Sequence, residues 1–289
     1  MTLGLVPFSV WWPSMNAEKF LWFLFYLMPS LYLFSAIAYV VVFVTEHPTV
    51  QRLARGSLFV AVLVNLVFFS AFTTHFGHIP MVTAQQVIGN VGFAVAAIYL
   101  WIQNLTKTPH SGPFILTLVV LCQIVGVLNP RFDRVVPEIL DSAMFSVHVI
   151  VALLGYSALA LAGVYGFIYL LLYKEIRFKR FGLVFRRLPP LEVLDRMNFI
   201  ATTVGFAFLT VAIATGISWA ARVYEDKLID PKLIVGVLTW LFYGATVVGR
   251  KYRSWRGSRF AYSSSLGFTA VLLLMFAVNS FFTKFHVFS

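Results

Sequence analysis

Charge is what this sequence has least of. Asp, Glu, Lys and Arg make up 11% of its 289 residues, whereas a soluble domain carries roughly 25%. With 60% of the residues hydrophobic, too few polar side chains remain to wet a water-facing globule of this size, and that class is excluded. Cysteine is almost missing. The lone Cys122 lies in the apolar run 114–127; it has neither an intrachain disulfide partner nor a second thiol for a redox pair, and it reads as packing. The chain also lacks a phosphate-cradling Gly-rich loop, a dinucleotide fingerprint and a CxxCH motif. No internal repeat is evident, which weighs against an inverted-repeat transporter. The stretch 1–19 has no basic n-region and no small-residue cleavage site, so no cleavable signal peptide is expected. Trp11 and Trp12 beside Pro13 read instead as an interfacial anchor.

What the chain does have is long apolar runs. About 20 residues cross the ~30 Å hydrocarbon core of a bilayer as a helix. That length predicts spans near 20–44, 57–75, 84–105, 113–129, 143–173, 197–221, 231–249 and 261–283. The expected fold is therefore all-α: one transmembrane domain over 1–289, a polytopic bundle of about eight helices. The net charge of +11 raises the question of nucleic acid, but the basic residues occupy short gaps between spans, as the positive-inside rule requires. Fifteen of the 22 fall in the loops after spans one, three, five and seven, from Arg52 and Arg55 to the 174–196 loop and Arg250–Arg259. These loops are expected to be cytoplasmic, with both termini outside. The partner is the lipid bilayer, with no nucleic acid.

Few ionisable groups lie at membrane depth, so each is a candidate for function. His148 sits about one turn inside span five, and His286 just past span eight, on the same expected face. Two imidazoles at equal depth on different helices could ligate one metal from opposite sides, as bis-His haem requires; hydrogen bonds to neighbouring carbonyls are the plainer alternative. His75 and His78 end span two, where Gly77 and Pro80 stop the helix. His47 and His110 lie beside prolines in loops, with no function assigned. Trp219, Tyr224 and Trp240 around the loop between spans six and seven could face a macrocycle or form an ordinary aromatic belt. Gln123 and Asn279 are expected to bond between helices, and Ala158, Ala162 and Gly166 to admit a close helix neighbour.

Several elements in order carry a family likeness: Gly77-His78-Ile79-Pro80, then His148 with Tyr156, then Trp219 and Asp230-Pro231-Lys232. Thr239-Trp240-Leu241, Trp255-Arg256-Gly257, Gly267-Phe268, Val278-Asn279 and His286 follow. Over 77–289 the chain resembles the cytochrome c assembly proteins of the CcsA/HemX type, within the wider haem-handling superfamily. The resemblance implies that His148 and His286 are the external axial ligands of haem b iron. Trp219 and Tyr224 would pack near the ring, with His78 as a further cofactor-side residue and Lys227 or Lys232 meeting a propionate. It further implies cytochrome c biogenesis: haem held at the outer face of a bacterial inner membrane for an apocytochrome c, with a second membrane assembly subunit. The enzymatic contribution would be at most that of one subunit of a haem-attaching synthase. A HemX-like regulator or scaffold of tetrapyrrole synthesis and a haem transporter are the alternatives. The sequence also departs from the family. Tyr224 replaces a Trp, Leu233 replaces a Glu, Met81-Val82-Thr83 and Gln85-Gln86 replace the usual continuation after Gly-His-Xaa-Pro, and Val248 stands where many members have an internal His. These departures fit the HemX-like branch better than a full synthase.

Overall fold

The computed structural model describes residues 17–106, 108–128, 132, 142–223 and 231–282. They form helices α1 (Ala17–Thr45), α2 (Pro48–Phe76), α3 (Ala84–Thr106), α4 (Gly112–Gly126), α5 (Ala143–Arg177), the short α6 (Leu183–Arg187), α7 (Leu191–Val223), α8 (Pro231–Arg253) and α9 (Ser258–Phe282). No strand occurs among the described residues. Apart from α6, each helix falls on one expected span, and the starts of α2 and α7 depart most from the expected bounds. α2 starts at Pro48 rather than near 57, because Pro at the first helical position is preset for helix and the His47 ring accepts Thr49 N–H at 3.3 Å. α7 starts at Leu191, directly after Pro189-Pro190, so the basic 174–196 loop contracts to 178–190 with α6 inside it.

Six of the helices are long and apolar enough to cross a membrane. α4, with 15 residues, is about 22 Å long at 1.5 Å per residue and does not reach across alone. The 25 residues of α9 pack on α5, α7 and α8. The protein is a multi-pass membrane bundle, and its surface is the inverse of a soluble protein's. Phe23, Ile37, Phe59, Leu241 and Leu273 are exposed, whereas Asn65, Asn90, Gln123, Asn198 and Ser264 are buried. These five hydrogen-bond internally, as buried polar groups must where no water is at hand. Gln123 Nε2 donates to Gly89 O at 2.9 Å, as expected of an interhelical bond, and Asn198 Nδ2 donates to Ser264 Oγ at 2.8 Å. The side chain of Asn279 lies outside the described residues.

α5 is the central strut. It contacts α3 and α4 on one side and α7 and α9 on the other. The small residues Ala158, Ala162 and Gly166 are buried on it. At Gly166 the reason is steric: a Cβ there would lie 2.7 Å from the Ala261 carbonyl oxygen of α9.

The helix ends near 45, 106, 177, 191, 253 and 258 share one face, which carries most of the basic residues. Two ionic clusters tie it together. Arg250 (α8) donates two hydrogen bonds to Asp195 (α7), both 2.8 Å, and Asp195 Oδ1 also accepts Gly257 N–H at 3.1 Å. The guanidinium lies 4.4 Å from the ring centre of Phe199 and 4.8 Å from that of Phe260. Such planar, bidentate, aromatic-stacked pairing suits Arg and not Lys. In the second cluster Arg187 pairs with Glu46 and donates to Val44 O at 2.9 Å, and His110 Nε2 lies 3.5 Å from Glu46. The Glu46 carboxyl is held below its usual range, chiefly by the Arg187 hydrogen bond, and His110 is held below its usual value chiefly by burial.

Candidate functional site

On the face opposite the basic loops, α5 and α7 meet near their ends. Ser142 starts α5 there, its hydroxyl accepting Phe145 N–H at 3.1 Å. A Ser at this position satisfies one of the orphan amides of a helix N-terminus. Phe145 and His148 follow three residues apart, so they share one side of the helix. Ala212, Gly216 and Trp219 share the facing side of α7 for the same reason. The Phe145 and Trp219 rings lie 5.2 Å apart and tilted by 47°.

His148 is half-buried, and its Nδ1 lies 2.8 Å from the carbonyl oxygen of Ala212. A carbonyl only accepts, so in this bond Nδ1 carries the hydrogen. In the neutral ring that leaves the Nε2 lone pair uncommitted, and Nε2 has no hydrogen-bond partner among the described residues. This tautomer is the one a metal-ligating histidine adopts when a backbone carbonyl orients it from behind. Gly216 makes the approach possible: a Cβ there would sit 2.6 Å from His148 Cε1 and 2.8 Å from Nδ1. Among the described residues no three His, Cys, Asp or Glu gather to hold a bare metal ion. A metal already held in a macrocycle needs only one axial imidazole from α5, and the His148 arrangement fits that role.

The structure thus brings together two of the expected site residues, His148 and Trp219. His286, Tyr224 and Lys227 lie outside the described residues, as does the side chain of Lys232. His78 follows Gly77, the left-handed cap of α2 (φ 80°). Its Nδ1 lies 3.0 Å from Ile79 O and its ring faces Phe72 at 5.5 Å. Its neighbours Ile79 and Met81 pack with Val149, Ile150 and Leu153 of α5, so the Gly-His-Ile-Pro turn buttresses the helix that carries His148. Trp240 has a packing role. Its Nε1 donates to Thr210 Oγ1 at 2.8 Å and its ring stacks on Phe206 at 5.7 Å, which fixes it to α7 deeper in the bundle. Tyr156, two turns below His148, packs against the buried cluster of Leu159, Leu209, Tyr243 and Val271. Val248, where the resemblance placed an internal His, is 54% exposed on the surface of α8. Sequence reasoning missed Ala212 and Gly216; a lone glycine one turn from Trp219 inside an apolar helix was the available signal.

Taken together, these features define a polytopic helical membrane protein with an oriented histidine near one end of its central helix. The chain belongs to the cytochrome C assembly protein family, whose model matches residues 26–286. It is 29% identical to protein HemX of Brevibacillus brevis over 267 residues, covering 89% of this chain and 94% of that protein. It is 24% identical to the cytochrome c biogenesis protein CcsA of Heterosigma akashiwo over 286 residues, 86% of this chain and 87% of the relative. The inner membrane protein YpjD of Escherichia coli K12 is 23% identical over 190 residues, 65% of this chain and 71% of YpjD.

Proposed function

We propose that this protein binds haem b at the non-cytoplasmic face of a bacterial inner membrane and holds it for cytochrome c biogenesis. His148 and His286 would be the axial ligands, and Trp219 and Tyr224 would pack by the ring. The observation that carries this reading is the Nδ1···Ala212 O bond of 2.8 Å, which aims a prepared Nε2 away from α7. Family membership and the similarity to CcsA support the biogenesis role, and the positive-inside rule supports the orientation, both termini outside. Bound haem supplies vinyl groups to which the cysteine thiols of an apocytochrome CxxCH add. The contribution of this chain is to hold and orient the ring, together with a second membrane subunit. With Val248 in place of an internal His, one haem per chain is expected. The similarity to HemX over 94% of that protein favours one alternative, a regulator or scaffold of tetrapyrrole synthesis that binds haem as a signal.

Purified protein should carry haem with a six-coordinate low-spin spectrum. His148→Ala or His286→Ala should lose haem or turn it high-spin, and His78→Ala should have less effect. A wild-type spectrum from the double variant His148→Ala/His286→Ala would sink the ligand assignment. Co-expression with a CxxCH reporter in a host lacking its own maturation system separates the two roles. Covalent haem on the reporter only after candidate partner subunits are added supports delivery, and none with any partner supports regulation.

A further inference from the structure

We propose that segment 174–187 is a binding site for the headgroups of anionic phospholipids. The segment comprises the last turn of α5, the 178–182 turn and α6. It carries Lys174, Arg177, Lys179, Arg180, Arg186 and Arg187 against a single acid, Glu175. Glu175 is already engaged, its Oε2 accepting Gly182 N–H at 3.3 Å. Arg187 is used internally by Glu46 and Val44 O. The other five cations make no ion pair among the described residues.

Two further observations give the site its chemistry. Phe178 and Phe181 are 58% and 55% exposed, and the Phe181 and Phe185 rings meet edge-on at 4.8 Å. Exposed phenyl rings interleaved with free cations suit neither bulk water nor hydrocarbon, but they suit the boundary between headgroup and acyl chain. The height of the segment agrees. Arg187 bonds to the last turn of α1 at Val44, so α6 lies level with the helix ends and does not project beyond them. Lys179, in the left-handed region at φ 54°, turns the chain back to that level. Lys and Arg stems can then lie along apolar surface with their heads at the phosphates.

Each basic residue near an anionic surface strengthens binding about fivefold, so removing four should cost well over tenfold. The test uses the full chain in nonionic detergent, with phosphatidylglycerol and phosphatidylcholine of identical acyl chains. Lipid retention is read by native mass spectrometry and thermal shift. Wild type should prefer phosphatidylglycerol at least about tenfold. The variant Arg177→Gln/Lys179→Gln/Arg180→Gln/Arg186→Gln should lose that preference, and Arg253→Gln/Arg256→Gln should retain it. Phe178→Ser/Phe181→Ser/Phe185→Ser should weaken retention of both lipids. Should the four-charge variant fail to fold, wild type in about 0.5 M NaCl serves instead, because the screening length falls to about 4 Å and the preference should collapse. The proposal is overturned by equal retention of the two lipids, by a preference that survives the four substitutions or the salt, or by a variant that keeps its lipids but loses a co-purifying soluble protein.

Discussion

Replacing Gly216 with alanine adds one methyl group to α7 beneath the His148 ring and tests the proposed site most directly. The new Cβ would stand 2.6 Å from Cε1, and ordinary contact begins at 3.4 Å. The ring must therefore retreat by about 0.8 Å, and α7 carries both Gly216 and Ala212, so the retreat is away from both. Along that line the Nδ1···O separation grows from 2.8 Å to about 3.6 Å, and the hydrogen bond is lost. For global stability two effects oppose each other. Alanine favours the helix by about 1 kcal/mol over glycine, and overpacking costs about 1–3 kcal/mol. The net loss should be no more than about 2 kcal/mol. Haem binding has no such compensation: removing the partner that orients a metal-ligating histidine lowers affinity about 10–100-fold. Titrating apoprotein with haemin and following the Soret band should show that loss, with a high-spin component, while helical circular dichroism stays unchanged. Wild-type affinity and a fully low-spin spectrum in Gly216→Ala, with His148→Ala deficient, would refute the orienting role of Ala212.

Three further outcomes follow from the basic face and the orientation. Arg250→Met leaves Asp195 mostly buried and unpaired, the two side chains being 13% and 16% exposed in the pair, so it should cost about 3–5 kcal/mol in thermal unfolding; a change under about 1 kcal/mol would contradict the pairing. His110 is held below its usual 6.5 by burial first, so its unfolded form takes up a proton before the folded form does. Stability is then complete above about 6.5 and declines as pH falls below it. Glu46, depressed mainly by Arg187, adds a second loss as pH falls below its usual 4.5 and through its lower folded value. Hydrogen exchange of 183–190, corrected for the intrinsic rate, should rise in those two windows, and His110→Gln should remove only the first; flat protection from pH 7 to 5 would count against it. For the orientation, Ala143→Cys in a Cys122→Ser background should react with an impermeant thiol reagent in intact cells and Gly182→Cys should not. The reverse pattern would invert the topology.

The places and order of every described helix but the short α6 were legible in the sequence, because hydrocarbon imposes its thickness on every crossing segment, and a run of about 20 apolar residues has few other uses. Helix ends were less legible. Arg52 and Arg55 looked like loop, yet they lie within α2, where Arg55 bonds to Asn104 of α3; a charged side chain at the end of a span needs only water or a partner, and hydropathy does not see the partner. Cys122, correctly read as packing, sits half-buried on α4 against Gly92.

The site divided along the same line. Residue types and order made His148 and Trp219 candidates, but His148 could equally have bonded a carbonyl or ligated a metal. The fold shows one ring nitrogen of His148 committed to a carbonyl and the other left uncommitted. That arrangement exists because α5 and α7 cross closely enough, at a residue without a Cβ, for an imidazole to reach a carbonyl 64 residues away. Composition and the length of the apolar runs determined that this chain crosses a membrane many times. The direction in which His148 points, the partners that hold it and the exposure of Val248 were decided by helix packing, because each depends on atoms brought together from distant parts of the chain.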